Sequence, residues 1–180
     1  MRSVKLGWVL VFCSFCLGKP SQAIEQQDLA LKASFDSASY PQDTPVMLSI
    51  DLSNVGRDTL QVLSHVATHE THLDWYTIRL KPLDACSFPI AAGKAPKART
   101  LRLTDARDKS APVTKTLRPG DFIRHQVNLQ TWALRKINGQ SLIREGCYQV
   151  EVTYTVQREK GAWKGYIRSA PVTLEIRPRS

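Results

Sequence analysis

The chain has 180 residues, 42% of them hydrophobic and 23% charged, and 25 Lys and Arg against 16 Asp and Glu give a formal net charge of +9. That is one domain of ordinary size, able to bury a core without a structural metal or a dense disulfide framework. The positive balance aids solubility and can attract polyanions, but it carries no information about fold.

Residues 1–23 have the three parts of a removable export signal. Arg2 and Lys5 give a positive start, Leu6 to Leu17 an apolar run, and Ser21-Gln22-Ala23 a small–x–small cleavage site. The run is too short to cross a ~30 Å hydrocarbon core as a helix, which takes ~20 residues. No later segment is long or apolar enough to do so. Neither Cys13 nor Cys16 lies in the sequence context of a lipoprotein cleavage site. The expectation is a soluble, exported domain spanning 24–180, in the periplasm or the medium.

From there the chain reads as strands, because apolar residues recur with period two. Leu29, Leu31, Ala33 and Phe35 share one face, and Val46, Leu48, Ile50 and Leu52 repeat the pattern before Asn54-Val55-Gly56 breaks it. Thr59 to Val66 and Trp75 to Leu80 are the next candidates, with a weak strand at Arg99 to Leu103. Ile123, His125, Val127 and Leu129 alternate with polar residues. Gln130 to Ile137 predicts one or two helical turns ahead of Asn138-Gly139. Tyr148, Val150, Val152, Tyr154 and Val156 form the clearest strand; Glu159-Lys160-Gly161 predicts a hairpin turn, and Val172, Leu174 and Ile176 close the chain. Seven to eight short strands with turn signals between them predict an all-β, antiparallel β-sandwich with one short helical turn. Two segments break the rhythm: the polar residues 67–74, and the long stretch 84–117, rich in Ala, Pro, Lys and Arg. There is no internal repeat and no low-complexity tract. Pro41 and Pro45 fall near an expected edge, where proline discourages pairing with other chains.

Signal cleavage would leave Cys86 and Cys147, an even pair in an oxidising compartment, where a disulfide is the default and two buried thiols the alternative. A bridge over so long a separation adds on the order of 3–5 kcal/mol in the chain-entropy description.

Three motifs carry a resemblance. Leu117-Arg118-Pro119-Gly120-Asp121, Gly146-Cys147-Tyr148-Gln149-Val150 and Ser169 to Ile176 resemble the turn, the following strand start and the terminal strand of immunoglobulin-like bacterial domains. The arrangement is similar to the immunoglobulin-like accessory domain preceding the catalytic domain in deuterolysin-type metallopeptidases, and more loosely to Bacillus-type intracellular proteinase inhibitor domains. The resemblance implies an immunoglobulin-like sandwich in which the strand-start Tyr bonds back to the preceding corner. The chain has no His-Glu-x-x-His, so peptidase activity is not implied.

Candidate chemistry is sparse. His65, His69 and His72, with Glu70 and Asp74 beside them, are residue types that bind Zn²⁺ or Cu²⁺; the alternative is a solvated polar loop. His125 is the lone polar residue on an apolar strand face, expected as a rim histidine bonded to a backbone carbonyl. No Gly-x-Ser-x-Gly elbow and no phosphate-cradling loop occurs. Lys94, Lys97, Arg99, Arg102, Arg107, Lys109, Lys115 and Arg118 face only Asp105 and Asp108 across 94–118, a basic stretch suited to an acidic protein face or envelope polyanion, or else simply solvated. The expected function is a non-catalytic exported domain that binds a protein or an anionic envelope partner, with no cofactor and no nucleic-acid partner. Alternatives are a protease inhibitor presenting 84–117, or a metal-binding protein using the histidines at 65–72.

Overall fold

The structure is a computed structural model and describes residues 28–67, 72–84, 86–90, 96–104, 111–135 and 142–178. The signal segment 1–23 lies outside the described residues, as do His69, Lys94, Arg107, Lys109 and the expected end of the helix at 136–137. The elements are β1 (Leu29–Phe35), β2 (Ser39–Pro41), β3 (Met47–Asn54), β4 (Leu60–Val66), β5 (Leu73–Pro82), β6 (Arg99–Leu103), β7 (Pro112–Leu117), β8 (Phe122–Asn128), α1 (Leu129–Leu134), β9 (Gly146–Val156), β10 (Gly165–Arg168) and β11 (Val172–Arg177).

Alternation builds the core. Along β3 every second residue from Leu48 to Asn54 is buried, and along β9 the buried set includes Tyr148, Val150, Val152, Tyr154 and Val156. Burying each of these large apolar side chains contributes roughly 1.5–3 kcal/mol. The strands assemble as a three-stranded sheet, β1-β3-β8, and a larger sheet, β2-β11-β9-β5-β6, in which β10 also pairs with β9. All the pairings are antiparallel except β2 with β11. One apolar cluster joins both sheets, and Tyr76 of β5 meets His125 of β8 ring to ring across it at 5.4 Å. The fold is an all-β sandwich with one short helix. None of the helices among the described residues is long and apolar enough to cross a membrane.

The third sheet is a two-stranded ribbon, β4-β7. The strand expected at Arg99 to Leu103 within 84–117 is present as β6, whose Leu101 and Leu103 are fully buried, and the ribbon adds a second strand, β7, to that stretch. β7 was missed because only Leu117 along it is buried, so it has no apolar period to read. β2 and β10 are too short to show one. β2 nonetheless ends at Pro41 on the outer edge of the larger sheet, where proline was expected.

The motifs fold locally for identifiable reasons. Asp121 N–H donates to the Arg118 carbonyl at 2.9 Å, and Gly120 takes φ +85° at the third position, making a type II turn that favours glycine there. Buried Asn54 holds this turn: its side-chain amide donates to the carbonyls of Leu117 and Asp58 at 2.9 and 2.7 Å. The Tyr148 hydroxyl donates to the Arg144 carbonyl at 2.9 Å, the bond back to the preceding corner. Cys86 and Cys147 are joined by a disulfide with Cα atoms 5.4 Å apart. α1 starts at Asn128, whose side-chain oxygen accepts from Gln130 N–H at 3.1 Å.

Candidate functional site

The site begins with an irregularity in the ribbon. Leu63 pairs with Thr114 but His65 pairs with Val113, so Ser64 is an extra residue in β4. Such a bulge bends the strand and re-aims its side chains. Ser64 is buried, and its hydroxyl stands 3.1 Å from His65 Nδ1. The edge of β4 turned away from β7 is closed. The Gln61 carbonyl accepts from Trp163 N–H at 2.7 Å, and the Tyr154 hydroxyl bonds both the N–H and the carbonyl of Leu63.

Opposite the bulge runs β8. Phe122 is 57% exposed, and the Arg124 guanidinium lies 5.7 Å from its ring centroid. Arg124 also makes a two-pronged bond to Asp51 at 2.7 and 2.8 Å, which lowers the pKa of the Asp51 carboxyl. His125 is half-buried, and its pKa is lowered to about 4, first by burial and then by its electrostatic interaction with His65 and Lys115. Its Nε2 has no hydrogen-bond partner among the described residues, so the expected bond to a backbone carbonyl is replaced by edge-on packing against Tyr76.

Between β8 and the ribbon lies a cleft of about 410 Å³. Its walls are Ser64 and His65 of β4, Leu73 of β5, Lys115 of β7 and the consecutive residues 122–126 of β8. Successive side chains of a strand point to opposite faces, so a wall made of five consecutive residues means that the cleft follows the edge of β8. Among the described residues no carboxylate lines it. A second cleft, of about 480 Å³, is lined by Asp74, Trp75, Thr155 and residues 157–159 and carries both signs of charge.

The structure separates the residues singled out from sequence. His65 lines the cleft. His72 is buried elsewhere, its ring 5.6 Å from that of Trp132 and its Nε2 3.3 Å from Arg135 Nη1. Among the described residues no group of three or more His, Cys, Asp or Glu is placed to hold a metal ion. Lys97 and Arg102 are exposed. Arg99 is half-buried and turned inward, donating to the carbonyls of Ala133 at 2.9 Å and Leu142 at 3.3 Å, so it ties β6 to the end of α1; burial lowers its pKa. Among the described residues of the basic stretch 94–118, Lys115 is the one that lines the cleft.

No protein-family model matches the chain, and no curated protein matches it.

Proposed function

We propose that the chain is an exported, non-catalytic binding domain of immunoglobulin-like type that engages an acidic protein partner through the cleft beside β8. The observation that carries this reading is the cleft itself: a strand edge, an exposed aromatic ring, two imidazoles and Lys115, with no acidic residue among the described residues of its walls. Arg124 is partly neutralised by Asp51, which leaves Lys115 as the cation that attracts an incoming carboxylate.

The sandwich's strand order and the Tyr148 corner bond support the immunoglobulin-like part of the proposal. The disulfide supports an oxidising compartment, and with the apolar character of 1–23 it favours export. Ser64 and His65 place a hydroxyl beside an imidazole, and among the described residues no carboxylate in the cleft wall orients that base, which supports a binding reading.

The test is fluorescence anisotropy with a labelled peptide of alternating Glu and Val, against the corresponding Lys and Val peptide. The acidic peptide should bind more tightly. Its affinity should fall as the Debye length shrinks from ~10 Å at 0.1 M salt to ~3 Å at 1 M. Lys115→Glu should weaken it about tenfold, as expected for reversing one charge near the surface. Equal binding of both peptides, or no effect of Lys115→Glu, would contradict the proposal.

A further inference from the structure

We infer that the acidic segment binds as an added β-strand along the outer edge of β8; this rests on the binding function proposed above and specifies how the partner is held. The hydrogen-bonding phase of β8 can be read from its two ends. Asn54 N–H donates to the Asp121 carbonyl, and Leu129 N–H donates to the Val46 carbonyl, both at 2.9 Å. These bonds bracket the β3–β8 register, in which Ile123, His125 and Val127 face Leu52, Ile50 and Leu48. In an antiparallel pair, residues alternate between exchanging both backbone bonds with the partner and pointing those groups away from it. Residues 123, 125 and 127 therefore bond to β3, and the N–H and carbonyl groups of Phe122, Arg124 and Gln126 point outward.

Among the described residues nothing pairs with that outward edge. β8 is last in its sheet, and β7, only a four-residue turn away, pairs with β4 instead. The contrast with β4 is informative, because its own outer edge is closed by Trp163 and Tyr154. The open edge borders the cleft, so an occupant would lie between the β8 backbone and the Ser64, His65 and Lys115 side chains. Two requirements select the occupant. Alternating donors and acceptors at strand spacing are matched by an extended polypeptide, and main-chain bonds of this kind supply affinity while side-chain pockets supply specificity. The Lys115 ammonium, with no carboxylate among the described residues of the walls, selects acidic side chains on that polypeptide.

Gln126→Pro isolates the strand-addition claim. It removes an outward N–H and leaves the ladder to β3 intact, since proline is tolerated on an edge strand whose N–H faces solvent. The variant should keep the wild-type thermal midpoint and bind the Glu-Val peptide about tenfold more weakly, the loss expected for a missing main-chain bond. Hydrogen exchange on the wild-type protein gives a second readout that does not depend on the variant folding: the peptide should slow the amides of Phe122, Arg124 and Gln126. If Lys115→Glu weakens binding but Gln126→Pro binds normally, or the three amides are not slowed, strand addition is wrong and the charged cleft remains as the site. If the acidic peptide does not bind the wild-type protein at all, both readings fail.

Discussion

The Tyr154 hydroxyl accepts from Leu63 N–H at 2.9 Å and donates to the Leu63 carbonyl at 3.1 Å, so one side chain of the larger sheet satisfies both backbone groups of one ribbon residue. Leu63 immediately precedes the bulged Ser64, which lines the cleft, so this pair anchors the ribbon next to the cleft wall. The Trp163 ring stacks on Tyr154 at 5.9 Å while its backbone N–H bonds Gln61, which anchors the same edge a second time.

Tyr76 and Tyr154 are neighbouring buried phenols, 4.8 Å between ring centroids, and they should respond oppositely to the same substitution. Tyr154→Phe leaves Leu63 N–H and carbonyl without partners and should cost about 2–3 kcal/mol. The Tyr76 hydroxyl is buried with no hydrogen-bond partner among the described residues, so Tyr76→Phe should cost nothing or gain about 1 kcal/mol. Urea denaturation of both variants checks the order. A larger loss for Tyr76→Phe would show that its hydroxyl has a partner in solution.

Arg99 and Lys97 should separate in the same way, although both belong to one basic stretch. Arg99→Gln removes two bonds to the carbonyls of Ala133 and Leu142 and should lower stability by about 1–2 kcal/mol. Lys97 is exposed, and Lys97→Gln should fall within about 0.5 kcal/mol of wild type. Thermal midpoints measured side by side distinguish them; equal effects would remove the tie between β6 and α1.

His125 predicts a direction of pH dependence. Its pKa is about 4 in the fold and near 6.5 when unfolded. Between those values the unfolded chain binds more protons, so stability rises with pH through the window and is lost as pH falls toward 4, by on the order of 3 kcal/mol. Carboxylates titrate in the lower part of the same window, so the measurement is the difference between wild type and His125→Gln. The variant should show the shallower slope from pH 6.5 to 4. Parallel curves would mean that His125 is not held neutral.

The sandwich was legible where burial is one-sided. Leu48, Ile50 and Leu52, or Val150, Val152 and Tyr154, announce their strands because each alternates between core and surface. The turn at Pro119-Gly120 was legible because its φ requirement leaves a residue-type trace. Of the ribbon, β4 was legible in Thr59 to Val66 but β7 was not, since β7 buries one residue and most of its other side chains face solvent. The cleft was harder still. The bulge at Ser64 is a mismatch of register between β4 and β7, which neither segment records alone. His125 did stand out, as the polar member of an apolar face, but its neighbours His65 and Lys115 come from other strands. The histidine cluster misled by proximity along the chain: His72 turns toward Trp132 and Arg135, away from the cleft that His65 lines. Arg99 misled by composition, counted as a surface cation although its guanidinium is spent on backbone carbonyls.

The most direct test of the binding site is backbone chemical-shift mapping of the full chain during titration with the peptide of alternating Glu and Val. The account predicts the largest changes at residues 122–126, at Ser64 and His65 and at Lys115, with Lys97 and Arg102 little moved. Changes centred on residues 97–102, with the β8 edge unmoved, would contradict it and place the contact on the outer face of β6.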